Sequence, residues 1–316
     1  MRIFFNAVTF YFISVWLLAS SVQAAPVLFN DPQFEIVKEF DIVYAKGATK
    51  NGEIDLKLDL YRPMGKKAPA LKPGLLIMHG GWFMVGDKLA DIGDMATLAR
   101  NMAARGYVTI SINYRLGPDK ARVIEKEMSQ ASVEVNKVLA EYARAGKSID
   151  SIYAGMTAAE LTAMRAAAVV DEGRALAWLV ANAERYGIDP TRIAVGGSSA
   201  GAISTLNLIY DSGNEVAKYA RAIVPMWGKL DDEGLPKITA KSAPFLVIHG
   251  TKDDVVAFSG AEALVARAKE VGLAHRLFAL DGAGHSPPLA LEMDGQNFYE
   301  HIADFLYQHM DLENLN

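Results

Sequence analysis

The stretch Arg192-Ile193-Ala194-Val195-Gly196-Gly197-Ser198-Ser199-Ala200-Gly201-Ala202-Ile203 passes from an apolar segment, through a serine flanked by glycines, into a helical pattern that continues to Leu206 and Leu208. This is the order strand, tight turn, helix, with a serine at the apex. Small residues two before and two after the serine let such a turn close without side-chain collisions. The hydroxyl then stands above the sheet beside the N–H groups of a helix N-terminus. The pattern predicts Ser199 as a nucleophile. An overlapping frame, Gly196-Gly197-Ser198-Ser199-Ala200, fits the looser form with alanine last and would place Ser198 at the apex. Glycine on both flanks favours Ser199.

Outward from this turn the chain alternates strand-like and helix-like segments. Gly74-Leu75-Leu76-Ile77-Met78 is continuously apolar, as a central strand covered on both faces requires. Ile54, Leu56, Leu58 and Leu60 alternate with Asp55, Lys57 and Asp59, the period of a half-buried antiparallel strand. With a strand over 34–44 it forms a hairpin expected at one edge. Further strands are expected over 107–114, 192–196, 219–226, 243–249 and 274–280. Helices are expected over 88–105, 168–186, 200–210, 259–271 and 290–310. Such alternation predicts an α/β fold, a mostly parallel, doubly wound sheet with helices on both faces.

One segment breaks the rhythm. Residues 119–167 are rich in Ala, Glu, Met and Lys. Ile124, Met128, Val133, Val138 and Tyr142 suggest a long amphipathic helix. A second is expected over 158–168, with Thr157 as N-cap and Glu160 three residues on. Because insertions at the carboxyl ends of strands bear on function, this segment is expected to form a helical cap over the active site.

Composition narrows the function classes. Of 316 residues, 51% are hydrophobic and 22% charged, and the net charge is −5, so no basic stripe exists to neutralise nucleic-acid phosphates. There is no cysteine, which excludes thiol catalysis and cysteine-ligated metal and leaves stability to core packing. Residues 1–24 read as a signal peptide: Arg2, an apolar run from Ile3 to Leu18, then small residues with Val22 and Ala24 at the −3 and −1 positions of a cleavage site. The apolar run falls short of the roughly 20 residues needed to span a bilayer. Residues 25–316 are therefore expected to act as one periplasmic or secreted domain, with no stable membrane insertion after cleavage.

Three further short elements follow predicted strands. His79-Gly80-Gly81-Trp82 places glycines where backbone N–H groups can approach a substrate carbonyl, as an oxyanion hole requires. His249-Gly250-Thr251-Lys252-Asp253-Asp254 offers an aspartate, Asp253 or Asp254, able to orient a histidine. Asp281-Gly282-Ala283-Gly284-His285 holds a histidine on a glycine-flanked loop, where it can serve as general base. His275, His301 and His309 are read as solvated. Trp82 and Trp227 are expected to line a substrate pocket and favour short acyl groups.

Taken together these stretches, with Lys57-Leu58-Asp59-Leu60-Tyr61-Arg62-Pro63, Asn113-Tyr114-Arg115-Leu116 and Tyr186-Gly187-Ile188-Asp189-Pro190-Thr191-Arg192-Ile193, resemble an α/β-hydrolase of the carboxylesterase and acetylesterase type, close to hormone-sensitive-lipase-like and feruloyl-esterase-like bacterial enzymes. The resemblance spans residues 53 to 310. It implies Ser199 as nucleophile, His285 as base and Asp253 as acid, with an oxyanion hole from the N–H groups of Gly81, Trp82 and Ala200. The chain departs from the family in having Trp82 where many relatives have a third glycine, and in the insertion after Pro118. The expected activity is hydrolysis of a small-molecule, acetyl-like ester through an acyl-enzyme, with no cofactor and no metal. A polysaccharide acetyl or feruloyl ester is one candidate substrate. Two other readings are a prolyl-oligopeptidase-type serine peptidase and a non-catalytic receptor on the same fold.

Overall fold

The computed structural model describes residues 27–89, 92–119, 121–122, 153 and 156–315. The leader expected over 1–24 and the first helix expected in the cap lie outside them. Eight strands form the main sheet: β1 (Glu35–Thr49), β2 (Gly52–Met64), β3 (Lys72–Met78), β4 (Val108–Ile112), β5 (Ile188–Ser198), β6 (Ala220–Met226), β7 (Phe245–Gly250) and β8 (His275–Leu280). Their spatial order is β1-β2-β4-β3-β5-β6-β7-β8. The β1–β2 and β2–β4 pairs are antiparallel; all later neighbours are parallel. The hairpin thus sits at one edge, on the α/β-hydrolase fold.

The continuous apolar runs are explained by burial on two faces. Leu76 and Met78 of β3 pack into one core with Val195 of β5 and Val247 of β7, while Leu75 and Ile77 pack into the other with Ala194, Leu246 and Ile248. Successive strand side chains point to opposite faces, so both parities must be apolar where helices cover both sides. On the first face lie α2 (Ala158–Ala181), α3 (Ala183–Tyr186), α4 (Ala200–Leu206) and α5 (Ser259–Val271). On the second lie α1 (Met95–Ala104) and α6 (Phe298–His309).

Three helix boundaries differ from expectation. The helix expected over 88–105 begins only at Met95, because Gly93 and Asp94 take positive φ of 65° and 59°. The helices expected over 158–168 and 168–186 are one continuous α2 to Ala181, then the single turn α3. No Gly or Pro interrupts residues 158–172, and Thr157 with Glu160 forms the reciprocal capping box at its start. The helix expected over 290–310 starts at Phe298. Residues 292–297 instead make the small hairpin β9 (Glu292–Met293) and β10 (Gln296–Asn297), turning on Asp294-Gly295 with φ of 54° and 82°.

At the outer edge, β1 carries a register shift between Glu39 and Ile42. Asp41 sits there with φ of 57°; its N–H donates to Asp59 Oδ1 at 3.0 Å. Lys88 Nζ lies 3.1 Å from Asp41 Oδ1 and 3.2 Å from Asp59 Oδ1. A β-bulge is therefore fixed by ion pairs to the chain beneath it.

Candidate active site

The turn between β5 and α4 holds Ser199 at φ 51°, ψ −113°, a strained conformation for a residue with a side chain. The glycines around it are required by space. A Cβ on Gly197 would sit 2.7 Å from the Met78 carbonyl oxygen, and one on Gly201 would collide with that same carbonyl. The elbow is thus pressed against the end of β3, and the Ser199 N–H donates to Met226 O at 3.0 Å.

The loops after β7 and β8 are similarly fused. Thr251 N–H donates to Leu280 O and Lys252 N–H to Ala283 O, each at 2.9 Å. Gly250 leaves no room for a Cβ beside the Ala283 and Gly284 carbonyls. This brings His285 between the other two groups: its Nε2 is 3.0 Å from Ser199 Oγ and its Nδ1 is 2.7 Å from Asp253 Oδ2. The carboxylate acts only as acceptor, so Nδ1 carries the proton and Nε2 is left to accept from the serine hydroxyl. Ser198, the alternative apex, is fully buried at the end of β5, and Asp254 is exposed.

Asp253 is buried and collects several donors. Its Oδ1 accepts from the N–H groups of Val255 (2.8 Å) and Val256 (2.9 Å), and His249 Nε2 lies 3.1 Å from Oδ2. Burial alone raises its pKa, but the bonds from His249, His285 and Val256 outweigh it and hold the carboxyl well below the usual range. His249 is a positioning residue that the sequence marked only as the start of a motif. Its Nε2 also lies 2.9 Å from Val256 O, which bridges the acid and its own loop.

Opposite the serine runs the His79–Trp82 loop. A Cβ on Gly80 would fall 3.1 Å from the Ser199 Cβ, so the backbone there lies directly against the nucleophile. Gly81, Trp82 and Phe83 all take positive φ (111°, 54° and 63°). Among the described residues, the N–H groups of Gly81, Trp82 and Ala200 make no backbone hydrogen bond in the loops and turns around the serine. The loop is held from behind: His79 Nδ1 donates to Gly80 O at 2.7 Å, its ring stacks on Tyr114 at 4.6 Å, and Tyr114 Oη donates to His79 O at 3.2 Å. Burial lowers the His79 pKa and keeps that ring neutral.

A cavity of about 60 Å³ opens at the serine. It is lined by Trp82 and Phe83, by Ala200 and Ile203 of the elbow helix, and by Val255 and Val256 of the acid loop. Tyr153, Arg165 and Lys229 complete it, with Tyr153 Oη donating to Trp82 O at 3.3 Å. Tyr153 and Arg165 come from the segment expected as a cap, and no local sequence signal marked them. Trp227, expected at the pocket, is not there. It is fully buried in the core between β6 and α1, because its φ of 39° and the bond from its N–H to Ile248 O (2.8 Å) turn it away. His301, read as solvated, is likewise buried, with Nε2 2.8 Å from Met293 O.

Among the described residues no cluster of His, Asp and Glu is arranged to hold a metal ion, and no helix is long and apolar enough to cross a membrane.

Several known proteins with similar sequence or fold are named as lipases or esterases. Over 205 residues the chain is 25% identical to Lipase 2 of Geotrichum candidum, covering 64% of this chain and 29% of that protein. It is 29% identical over 180 residues to Esterase LipQ of Mycobacterium tuberculosis, covering 44% of this chain and 43% of that one. The chain thus spans less than half the length of either relative. Its fold is similar to that of a carbohydrate esterase from gut microbiota, with a TM-score of 0.58 at 16% identity over 89% of this chain and 98% of the other. It is also similar to esterase 2 of Thermogutta terrifontis with propionate bound, with a TM-score of 0.57 at 18% identity over 90% and 96%. Residues 229–313 match the model of the prolyl oligopeptidase family. The BD-FAE family model matches residues 58–123 and 125–218, half of the chain, from the β2 strand through the serine elbow; this protein belongs to the BD-FAE family of α/β-hydrolases.

Proposed function

We propose that the protein is a serine carboxylic-ester hydrolase acting on short-chain esters through Ser199, His285 and Asp253. The observation that carries this reading is the unbroken chain of contacts from Asp253 Oδ2 through the imidazole to Ser199 Oγ, at 2.7 and 3.0 Å, beside an open cavity. Ser199 Oγ attacks the ester carbonyl carbon while its proton passes to His285 Nε2. The resulting oxyanion is met by the N–H groups of Gly81, Trp82 and Ala200, for which no backbone acceptor is found in the loops and turns among the described residues. His285 then protonates the departing alkoxide, leaving an acyl-serine, and next takes a proton from the water that hydrolyses it. Asp253 stays ionised throughout and stabilises the imidazolium. The small cavity, walled by Trp82 and Phe83, supports a short acyl group. Export to the periplasm or beyond, by cleavage after Ala24, is part of the same proposal; intact-mass measurement of the exported chain tests it, and a retained Met1 would refute it.

A fluorophosphonate probe followed by a chain-length series of 4-nitrophenyl esters tests the activity. Labelling is expected at Ser199, with turnover greatest for acetate to butyrate. Ser199→Ala should lower turnover on the order of 10⁴- to 10⁶-fold. Activity that survives Ser199→Ala and is lost in Ser198→Ala would overturn the assignment. Because the C-terminal region matches the prolyl oligopeptidase family, peptide amides belong in the same panel. Faster cleavage of amides than of esters would favour a peptidase.

A further inference from the structure

We infer that the protein carries a second binding site, for a dianionic phosphate group, at the end of the sheet opposite Ser199. A cavity of about 640 Å³ lies there, lined by Glu39, Arg62, Lys72, Arg185, Tyr186 and Gly187. Lys72 begins β3 and Gly187 immediately precedes β5, whereas Ser199 follows β5 at its other end. The 11 residues of β5 therefore separate the two cavities, roughly 35 Å at about 3.3 Å per residue.

Three cations and one carboxylate line this space. Arg62 uses only Nε on Glu39 Oε1, at 3.2 Å, and among the described residues neither of its Nη groups meets an acceptor. The Arg185 guanidinium carbon lies 5.1 Å from the centre of the Tyr186 ring, and that group forms no ion pair among the described residues. Lys72 Nζ donates to the neutral carbonyl of Ala70 at 3.1 Å and likewise meets no carboxylate. The amine is packed over Gly187, where a Cβ would come within 3.0 Å of it. Glu39 offsets one of the three charges, so the wall carries a surplus of two. Burial lowers the Lys72 pKa and the Arg62 charge lowers it further, so these cations repel one another across the cavity. An anion between them turns that repulsion into attraction, and a cleft lined by one sign concentrates counter-ions. Two uncompensated charges match a dianion. Guanidinium forks and an ammonium are the donors that suit phosphate oxygens. The cavity is far larger than the one of about 60 Å³ at Ser199, which leaves room for the body of a phosphomonoester.

A ³¹P NMR titration at pH 8 and constant ionic strength, with inorganic phosphate and with glycerol 3-phosphate, tests this. Both should bind saturably and one to one, and acetate should displace them only at roughly tenfold higher concentration or more. The double variant Lys72→Met with Arg185→Gln should bind roughly ten- to hundredfold more weakly, the worth of one charged hydrogen bond. Its ester turnover and its unfolding midpoint without phosphate should stay at wild-type values. Glu39→Gln removes the one carboxylate from the wall and should tighten binding severalfold, a gain that a damaged fold does not give. Ser199→Ala should bind phosphate as wild type does, so failure of the proposed ester hydrolysis would leave this inference standing. Absence of saturable binding would overturn it. So would displacement by acetate at equal concentration, or a double variant that titrates like wild type. Binding confined to vesicles that contain phosphatidic acid, with no response to the soluble phosphates, would also overturn it, because a flat charged surface and not the cavity would then be responsible.

Discussion

At Ser199 the backbone pays a steric penalty that the surrounding glycines make tolerable. Its φ of 51° aims the hydroxyl out of the sheet, and the turn closes only because Gly197 and Gly201 present no Cβ to the Met78 carbonyl. Gly201→Ala should therefore destabilise the protein by roughly 1–3 kcal/mol through overpacking. It should lower kcat as well, because relief of the clash moves the serine away from His285. Urea denaturation with parallel ester assays checks both; native stability with unchanged kcat would contradict the crowding described for this turn. The three residues of the hydrogen-bonded chain were legible in the sequence because each sits just past an apolar strand and beside glycines. Arg165 and Tyr153 were not legible. They reach the pocket from a helix start and a loop whose placement depends on contacts far away in sequence. Trp227 misled for the opposite reason: a tryptophan at a strand end satisfies either the core or the cavity, and only the backbone turn at that residue decides.

At the level of elements, α2 shows where periodicity succeeds and where it stops. Its start was marked by Thr157 and Glu160, and the structure contains both halves of that cap: the Glu160 N–H donates to Thr157 Oγ1 at 3.2 Å and the Thr157 N–H to Glu160 Oε2 at 2.9 Å. Bonds from Lys50 and from Thr157 bring the Glu160 carboxyl down to about 2. Thr157→Ala should cost about 1 kcal/mol in unfolding free energy. Urea denaturation reads this out, and an unchanged unfolding midpoint would show that the cap contributes nothing. The end of α2 was misplaced because the alanine-rich stretch 166–168 carries no stop signal. Conversely, the Asp294-Gly295 turn was a readable signal for the small hairpin before α6, obscured by the apolar residues around it.

Across the whole molecule, the two cores on either side of the sheet explain why doubly covered strands read as unbroken apolar runs. Among the described residues, several charged side chains are nonetheless buried. Arg115 and Asp171, both fully buried, form a two-pronged pair at 2.9 and 2.7 Å that ties the loop after β4 to α2. Beside it in sequence, Glu172 is fully buried, its Oε1 accepts from Thr205 Oγ1 at 2.5 Å, and Oε2 has no partner. Burial pushes its pKa up to about 8 from 4.5, with the Thr205 bond pulling the other way. Between those two pH values the unfolded chain has released this proton while the folded chain keeps it. Stability should therefore fall as pH rises through that window and level off above it. Glu172→Gln, neutral at every pH, should lose this dependence and become more stable than wild type by a few kcal/mol near pH 8.5. Urea unfolding at pH 5 and pH 8.5 tests it; parallel pH dependence in the two proteins would refute it.

The outermost strand is long, and on its far side no strand among the described residues pairs with it. Such a border is a template on which a second molecule can stack. The kink at Asp41, pinned to Asp59 and Lys88, bends that border out of line. A variant in which the kink were straightened would catalyse as before yet be expected to self-associate along this rim, because the loops that carry Ser199, Asp253 and His285 follow β5, β7 and β8, away from this edge of the sheet.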